Sequence, residues 1–129
     1  MRIALAAIFA LGAAAQAGPA AAQDVAAGQR VYNQCRACHN IAEGARNTVG
    51  PNLWNIYGRS AGAVEGFRYS APMMERARDG LVWTEENLRT YLRNPRDLVP
   101  GGSMAFAGIR NEQQLTDVIA YLRAQRPSR

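Results

Sequence analysis

Apolar residues recur with a helical period near the end of the chain, where Leu115, Val118, Ile119 and Leu122 fall at i, i+3, i+4 and i+7 and line one helix face. Asn111 precedes that stripe with Gln114 three positions on, a spacing that resembles a capping box and starts the helix at Asn111. A matching surface is expected near the other end of the chain. Asp24 can cap a helix running from Val25 to about Cys38, and Gly28 and Tyr32, four apart, share a face on it. A bare Gly lets another helix approach closely, so the C-terminal stripe is expected to cross there.

Two more helices are predicted between these. Thr84 is a good N-cap, with Trp83 before it and Leu88 after it spaced as a hydrophobic staple. Leu88, Tyr91 and Leu92 form the buried face, and the helix must stop by Asn94 because Pro95 disfavours helical backbone in the residue before it. A shorter helix covers Ala71 to Arg78, capped by Ser70 and terminated by Gly80. No β-branched alternation is long enough to read as a strand. The fold class expected is all-α, a small domain of about four helices whose first and last cross. Two long segments, Asn40 to Tyr69 and Pro95 to Arg110, stay irregular. They contain Pro, Gly and aromatic residues, as loops wrapped around something would.

The first residues read differently. Met1-Arg2 is a short positive start, Ile3 to Ala17 is apolar and Ala-rich, and Ala20-Ala21-Ala22 supplies small residues for cleavage. This is the pattern of a secretory signal peptide over residues 1–22, cut near Ala22-Gln23, which leaves one domain over 23–129 and places it in the periplasm. No second apolar run is long enough to span a membrane, and the mature chain reads as a monomer. So short a domain buries a modest core and gains from a staple or a cofactor.

All 15 basic residues are Arg, against 10 acidic ones. Loss of Arg2 with the leader leaves a mature charge of about +4. That charge is either a generally soluble basic surface or a docking face for acidic partners. Nucleic acid is a poor candidate, since the Arg residues are scattered and the leader exports the chain.

The chemistry is carried by Cys35-Arg36-Ala37-Cys38-His39, which reads C-x-x-C-H, the attachment sequence of a c-type haem. Each thiol can add across one haem vinyl group, and the adjacent imidazole can then bind the iron. A structural disulfide is allowed by the oxidising compartment. A zinc site lacks a fourth soft ligand, since the chain has two Cys and one His, and a redox C-x-x-C lacks its βαβ context. One covalent haem c through Cys35 and Cys38 is therefore expected, with His39 as axial ligand. The other imidazole nitrogen should donate to a backbone carbonyl, and Pro51 on the turn Gly50-Pro51-Asn52-Leu53 is the nominated acceptor. The opposite ligand cannot be His, so Met is next. Met73 and Met74 lie in a predicted helix and suit gap-filling. Met104 sits in the loop Pro100-Gly101-Gly102-Ser103-Met104-Ala105-Phe106, whose backbone can approach a haem. His39 and Met104 are thus the expected metal ligands.

With these landmarks in order the chain resembles a class I cytochrome c, most similar to the mitochondrial type and its periplasmic photosynthetic and respiratory relatives in proteobacteria. The resemblance covers Asp24 to Leu122 and includes VGPNLWNIYGR (Val49 to Arg59), GFRYS (Gly66 to Ser70), GLVWTEENL (Gly80 to Leu88), YLRNP (Tyr91 to Pro95) and VPGGSMAFAG (Val99 to Gly108). It implies that Tyr69 and Trp83 donate to a buried haem propionate and that Arg59 offsets its charge. It implies that Tyr91 touches the Met-ligand side, and that Pro95 and Phe106 pack the haem crevice. It also implies a one-electron carrier, not an enzyme, fed by a quinol-oxidising cytochrome bc complex and drained by a terminal oxidase or photosynthetic reaction centre.

Departures from the family keep two rivals in view. Gly102 stands where the family often has Thr, so a hydroxyl contact to a propionate is missing or is replaced by water or Ser103. The ring of Lys around the haem edge is absent. Arg96 and Arg110 occupy two such places, Asp97 reverses one charge and Gln34 neutralises another. The segment from Tyr69 to Trp83 is about three residues longer than in the short mitochondrial form, and the family's asparagine near the Met sulfur has no certain counterpart. The rivals are a dedicated subunit of a periplasmic dehydrogenase and a small peroxidase or gas-binding haem protein. For the leader, the expected outcome is a mature exported chain that begins at Gln23. Intact-mass measurement of the protein from a periplasmic extract checks this, and a mass that retains Met1 to Ala22 contradicts it.

Overall fold

The computed structural model describes residue 14 and residues 22–128. The leader expected over 1–22 lies, apart from those residues, outside the described part, and Arg129 is also outside it. Among the described residues there are five helices and no named strand: α1 (Val25–Tyr32), α2 (Ala71–Arg78), α3 (Glu85–Arg93), α4 (Pro95–Leu98) and α5 (Glu112–Ala124). Side chains cap all five. Asp24, Ser70, Thr84, Asn94 and Asn111 each accept from a backbone N–H two or three residues ahead, which satisfies one orphan donor per helix start. Among the described residues no helix is long and apolar enough to cross a membrane.

The terminal helices form the frame. A Cβ on Gly28 would lie 1.9 Å from the Asp117 carbonyl oxygen and 2.8 Å from Tyr121 Cβ, so α1 and α5 touch backbone to backbone there. Tyr32 and Tyr121 meet one turn further on in a tilted pair, with ring centroids 5.3 Å apart. Leu115, Val118, Ile119 and Leu122 are all buried on α5 and join Leu88, Tyr91 and Leu92 of α3 in one core. At the open end of the crossing the Asp117 carboxylate accepts from Asp24 N–H at 3.1 Å and from Gln113 at 2.9 Å. On the surface, Glu112 of α5 pairs with Arg89 and Arg93 of α3.

Two element boundaries differ from the sequence reading. The first helix stops at Tyr32 instead of reaching about Cys38. Beyond it the chain tightens into successive three-residue turns, Asn33 N–H to Arg30, Gln34 to Val31, Cys35 to Tyr32 and Cys38 to Cys35. Tighter turns of this kind are a common way for a helix C-terminus to satisfy its last carbonyls. The Cys38 carbonyl, at their far end, accepts from Gly50 N–H at 2.8 Å and the Thr48 hydroxyl at 2.7 Å. The second difference is α4, inside a segment expected to be irregular. Pro95 ends α3 but suits the first position of a new helix, and Asn94 caps that helix by accepting from Arg96 N–H.

The long loop before α2 is held by its own polar side chains. Asn52 is buried and donates to the Ala42 and Ala45 carbonyls while accepting from Trp54 N–H. Further on, Gly58 N–H donates to the Trp83 carbonyl and Trp83 N–H to the Arg59 carbonyl, each at 2.8 Å, around an isolated antiparallel bridge between Ser60 and Val82. Gly28→Ala should destabilise the haem-loaded protein by roughly 3 kcal/mol, because overpacking a backbone contact forces the helices apart. Guanidinium unfolding measures this, and an unchanged midpoint would show that α1 and α5 do not cross at Gly28.

Candidate haem cleft

The turns after α1 deliver Cys35, Cys38 and His39 to a cleft that opens to solvent. Gln34, Val49, Gly50 and Phe67 line it with them, as do Ser103, Met104, Ala105 and Phe106 from the loop after α4. A deeper apolar recess continues from it, bounded by His39, Leu53, Ile56, Trp83, Leu88, Tyr91, Leu92, Met104 and Leu122. His39 and Met104, far apart in sequence, thus border the same two spaces.

His39 is seated from behind. Its Nδ1 lies 2.8 Å from the Pro51 carbonyl oxygen. A carbonyl can only accept, so Nδ1 carries the proton, and in the neutral ring Nε2 keeps its lone pair. Burial lowers the imidazole pKa, with the Pro51 hydrogen bond acting in the opposite sense. The neutral, metal-binding form is therefore favoured. The Tyr32 hydroxyl donates to the His39 carbonyl at 3.0 Å. At Gly50 a Cβ would lie 2.3 Å from His39 Cε1 and 2.6 Å from Nδ1, so only a bare backbone fits against the ring.

Both thiols are unpaired and half-buried. Burial, then the neighbouring Cys38, pushes the Cys35 thiol up to about 11. Among the described residues no three His, Cys, Asp or Glu side chains gather into a metal-holding group. The donors fit a haem instead: two thiols beside one imidazole, a thioether in the lining of the same cleft, and an adjoining apolar recess.

The remaining residues divide. Trp83 and Tyr91 line the recess, with ring centroids 4.9 Å apart. Burial alone raises the Tyr91 hydroxyl to about 12, with no hydrogen bond or charge contributing, so that group is free for a neighbour in the recess. Phe106 lines the cleft, its N–H donating to the Met104 carbonyl. Pro95 is buried at the start of α4. Arg59 and Tyr69 border neither space. Arg59 donates to the Ala63 carbonyl at 3.0 Å, and the Tyr69 hydroxyl accepts from Val64 N–H at 3.1 Å. Met73 is buried in the core and Met74 packs against Gly62. The bare position at Gly102 suits a tight turn, where its N–H donates to the Val99 carbonyl and a Cβ would lie 3.1 Å from that oxygen.

Sequence reasoning missed Thr48, Gly50, Asn52 and Phe67. Gly50 was legible in principle, standing directly before the nominated Pro51. Asn52 carried no signal, because an Asn in a loop is ordinary.

The model of the cytochrome c family matches residues 25–126. The cytochrome c2 of Blastochloris viridis is 47% identical over 110 residues, which cover 85% of this chain and 84% of that protein. The cytochrome c2 of Afifella marina is 50% identical over 99 residues, covering 77% of this chain and 80% of that protein. Among solved structures, that of cytochrome c2 from Rhodospirillum centenum matches with a TM-score of 0.76 at 35% identity, over 81% of this chain and 99% of that one. For the seat of the imidazole, Gly50→Ala is expected to displace the His39 ring and lower the stability of the loaded protein by roughly 2 kcal/mol. Paramagnetically shifted imidazole resonances in the NMR spectrum of the oxidised protein check it, since an undisturbed ring leaves them in place.

Proposed function

This chain belongs to the cytochrome c family, with one covalent haem c as its cofactor, and we propose that it carries single electrons in the periplasm with His39 and Met104 as the axial ligands. When bound, the haem supplies a reversible one-electron couple. Cys35 and Cys38 would hold it by thioether bonds. His39 would offer Nε2 to the iron while the Pro51 carbonyl keeps the ring in one tautomer and one orientation. Met104 would close the opposite side. A thioether opposite an imidazole favours the reduced state and raises the potential.

The observation that carries this reading is that His39 and Met104, 65 positions apart in the sequence, line the same cleft and the same apolar recess. Trp83, Tyr91, Leu92 and Leu122 exclude water from the deep part, which limits solvent rearrangement when the charge changes. Trp83, Tyr69 and Arg59 are read as partners of a propionate, and Phe106 as crevice packing. The rim carries the docking chemistry. Arg96 and Arg110 flank a groove beside Met104 and Phe106, and their planar guanidinium groups suit bidentate contact with carboxylates. Membrane redox complexes fit as partners, with a cytochrome bc complex as donor and a terminal oxidase or photosynthetic reaction centre as acceptor. Brief encounters through an Arg rim suit a diffusible carrier.

Carbon monoxide tests the closed sixth site. The reduced wild type should refuse it at neutral pH, and the oxidised form should show the weak far-red band of methionine–iron bonding. Met104→Ala should keep its haem, lose that band and bind carbon monoxide. A wild type that takes up carbon monoxide freely, or a band that survives the substitution, would replace the carrier reading with the peroxidase or gas-binding one.

A further inference from the structure

Resting on the Met104 ligation proposed above, we infer that Arg76 is a positioning residue for the ligand loop: from α2 it clamps the end of α4 and so sets how often Met104 leaves the cleft. α4 is four residues long, and a single turn cannot satisfy its own last carbonyls. The Pro95 carbonyl accepts from Val99 N–H at 2.9 Å, and the Val99 carbonyl from Gly102 N–H at 3.1 Å. The Leu98 carbonyl accepts from Arg76 Nε at 2.9 Å, a contact that spans 22 residues of sequence. A cation on a helix C-terminal carbonyl is favoured both by the helix dipole and by the charge on the donor.

A second contact places α2 on the same segment. Pro72 Cγ lies 3.6 Å from where a Cβ on Gly101 would stand. Arg76 and Pro72 therefore flank the stretch from Leu98 to Gly101, just ahead of Met104. The far end of the loop is pinned separately, by Ile109 N–H on the Leu92 carbonyl at 2.8 Å and by Gly108 against the Arg93 carbonyl. Between these anchors Pro100, Gly101, Gly102 and Ser103 are exposed. Loosening the near anchor thus frees the exposed stretch from Pro100 to Ser103, while Val99, 2% exposed, and the core of α1, α3 and α5 stay packed. The one carboxylate within 4.0 Å of Arg76 among the described residues, Asp79, is well exposed, so it competes weakly. An exposed hydrogen bond adds little to overall stability, but it biases a local opening.

An exogenous ligand for the sixth position reports that opening, because its apparent affinity scales with the fraction of molecules whose loop is open. The experiment titrates imidazole into the oxidised, haem-loaded protein. Arg76→Gln should bind imidazole about three- to tenfold more tightly than wild type, the size expected for loss of one solvent-exposed hydrogen bond. Arg76→Lys should fall between the two. Arg78→Gln, an equal charge change on the same helix, should match wild type. The global stability of Arg76→Gln should fall by no more than the free energy equivalent to its imidazole gain, because the same bond is lost on opening and on unfolding. Wild-type imidazole affinity in Arg76→Gln overturns the clamp. So does an equal gain in Arg78→Gln, or a drop in global stability well beyond the equivalent of the gain. A wild type without the far-red methionine–iron band overturns the ligation instead, and is seen before any imidazole is added.

Discussion

The hydrogen bond from His39 Nδ1–H to the Pro51 carbonyl is the constraint around which the rest of this molecule is arranged. It fixes which ring nitrogen faces the cleft, and it does so only because the chain from Thr48 to Pro51 folds back over the C-x-x-C-H turn. That fold-back satisfies the Cys38 carbonyl and closes over the turns that follow α1, which bring both thiols and the imidazole to one cleft. Gly50 is the corollary. The backbone that carries the acceptor runs so close to the ring that no side chain fits between them.

The segment after α4 is built by a different principle. The segment carrying Met104 has little regular structure and borrows its position from neighbours: α3 through Leu92 and Arg93, and α2 through Arg76 and Pro72. A loop held at its ends can present one side chain firmly and still open locally, which a helix embedded in the core cannot do. The two segments thus differ in firmness. His39 sits in a closed network tied to the frame of α1 and α5, and Met104 sits on a strap.

Charge is handled with one residue type. Arg serves as a surface pair with Glu112, as the Leu98 clamp and as the rim around Met104. A guanidinium presents a planar fork, so the rim can meet carboxylates with a two-pronged geometry that an ammonium lacks.

The crossing of α1 and α5 was legible from a bare Gly opposite a 3.6-residue apolar stripe, because helical periodicity is local and survives without coordinates. The cofactor was legible from C-x-x-C-H for the same reason, since covalent attachment imposes a fixed spacing. Caps at Asp24, Ser70, Thr84 and Asn111 are likewise short-range chemistry. The early end of α1 was not, since the run of tighter turns after Tyr32 leaves no mark in the residue pattern, and the helix after Pro95 was missed although its Asn94 cap is local. Nor were the partners of the Cys38 carbonyl, the hub at Asn52 or the reach of Arg76 to Leu98. Each of these is a hydrogen bond whose partner is chosen by how loops lie against one another. Spacing along the chain carries no record of that choice, and only the assembled fold makes it.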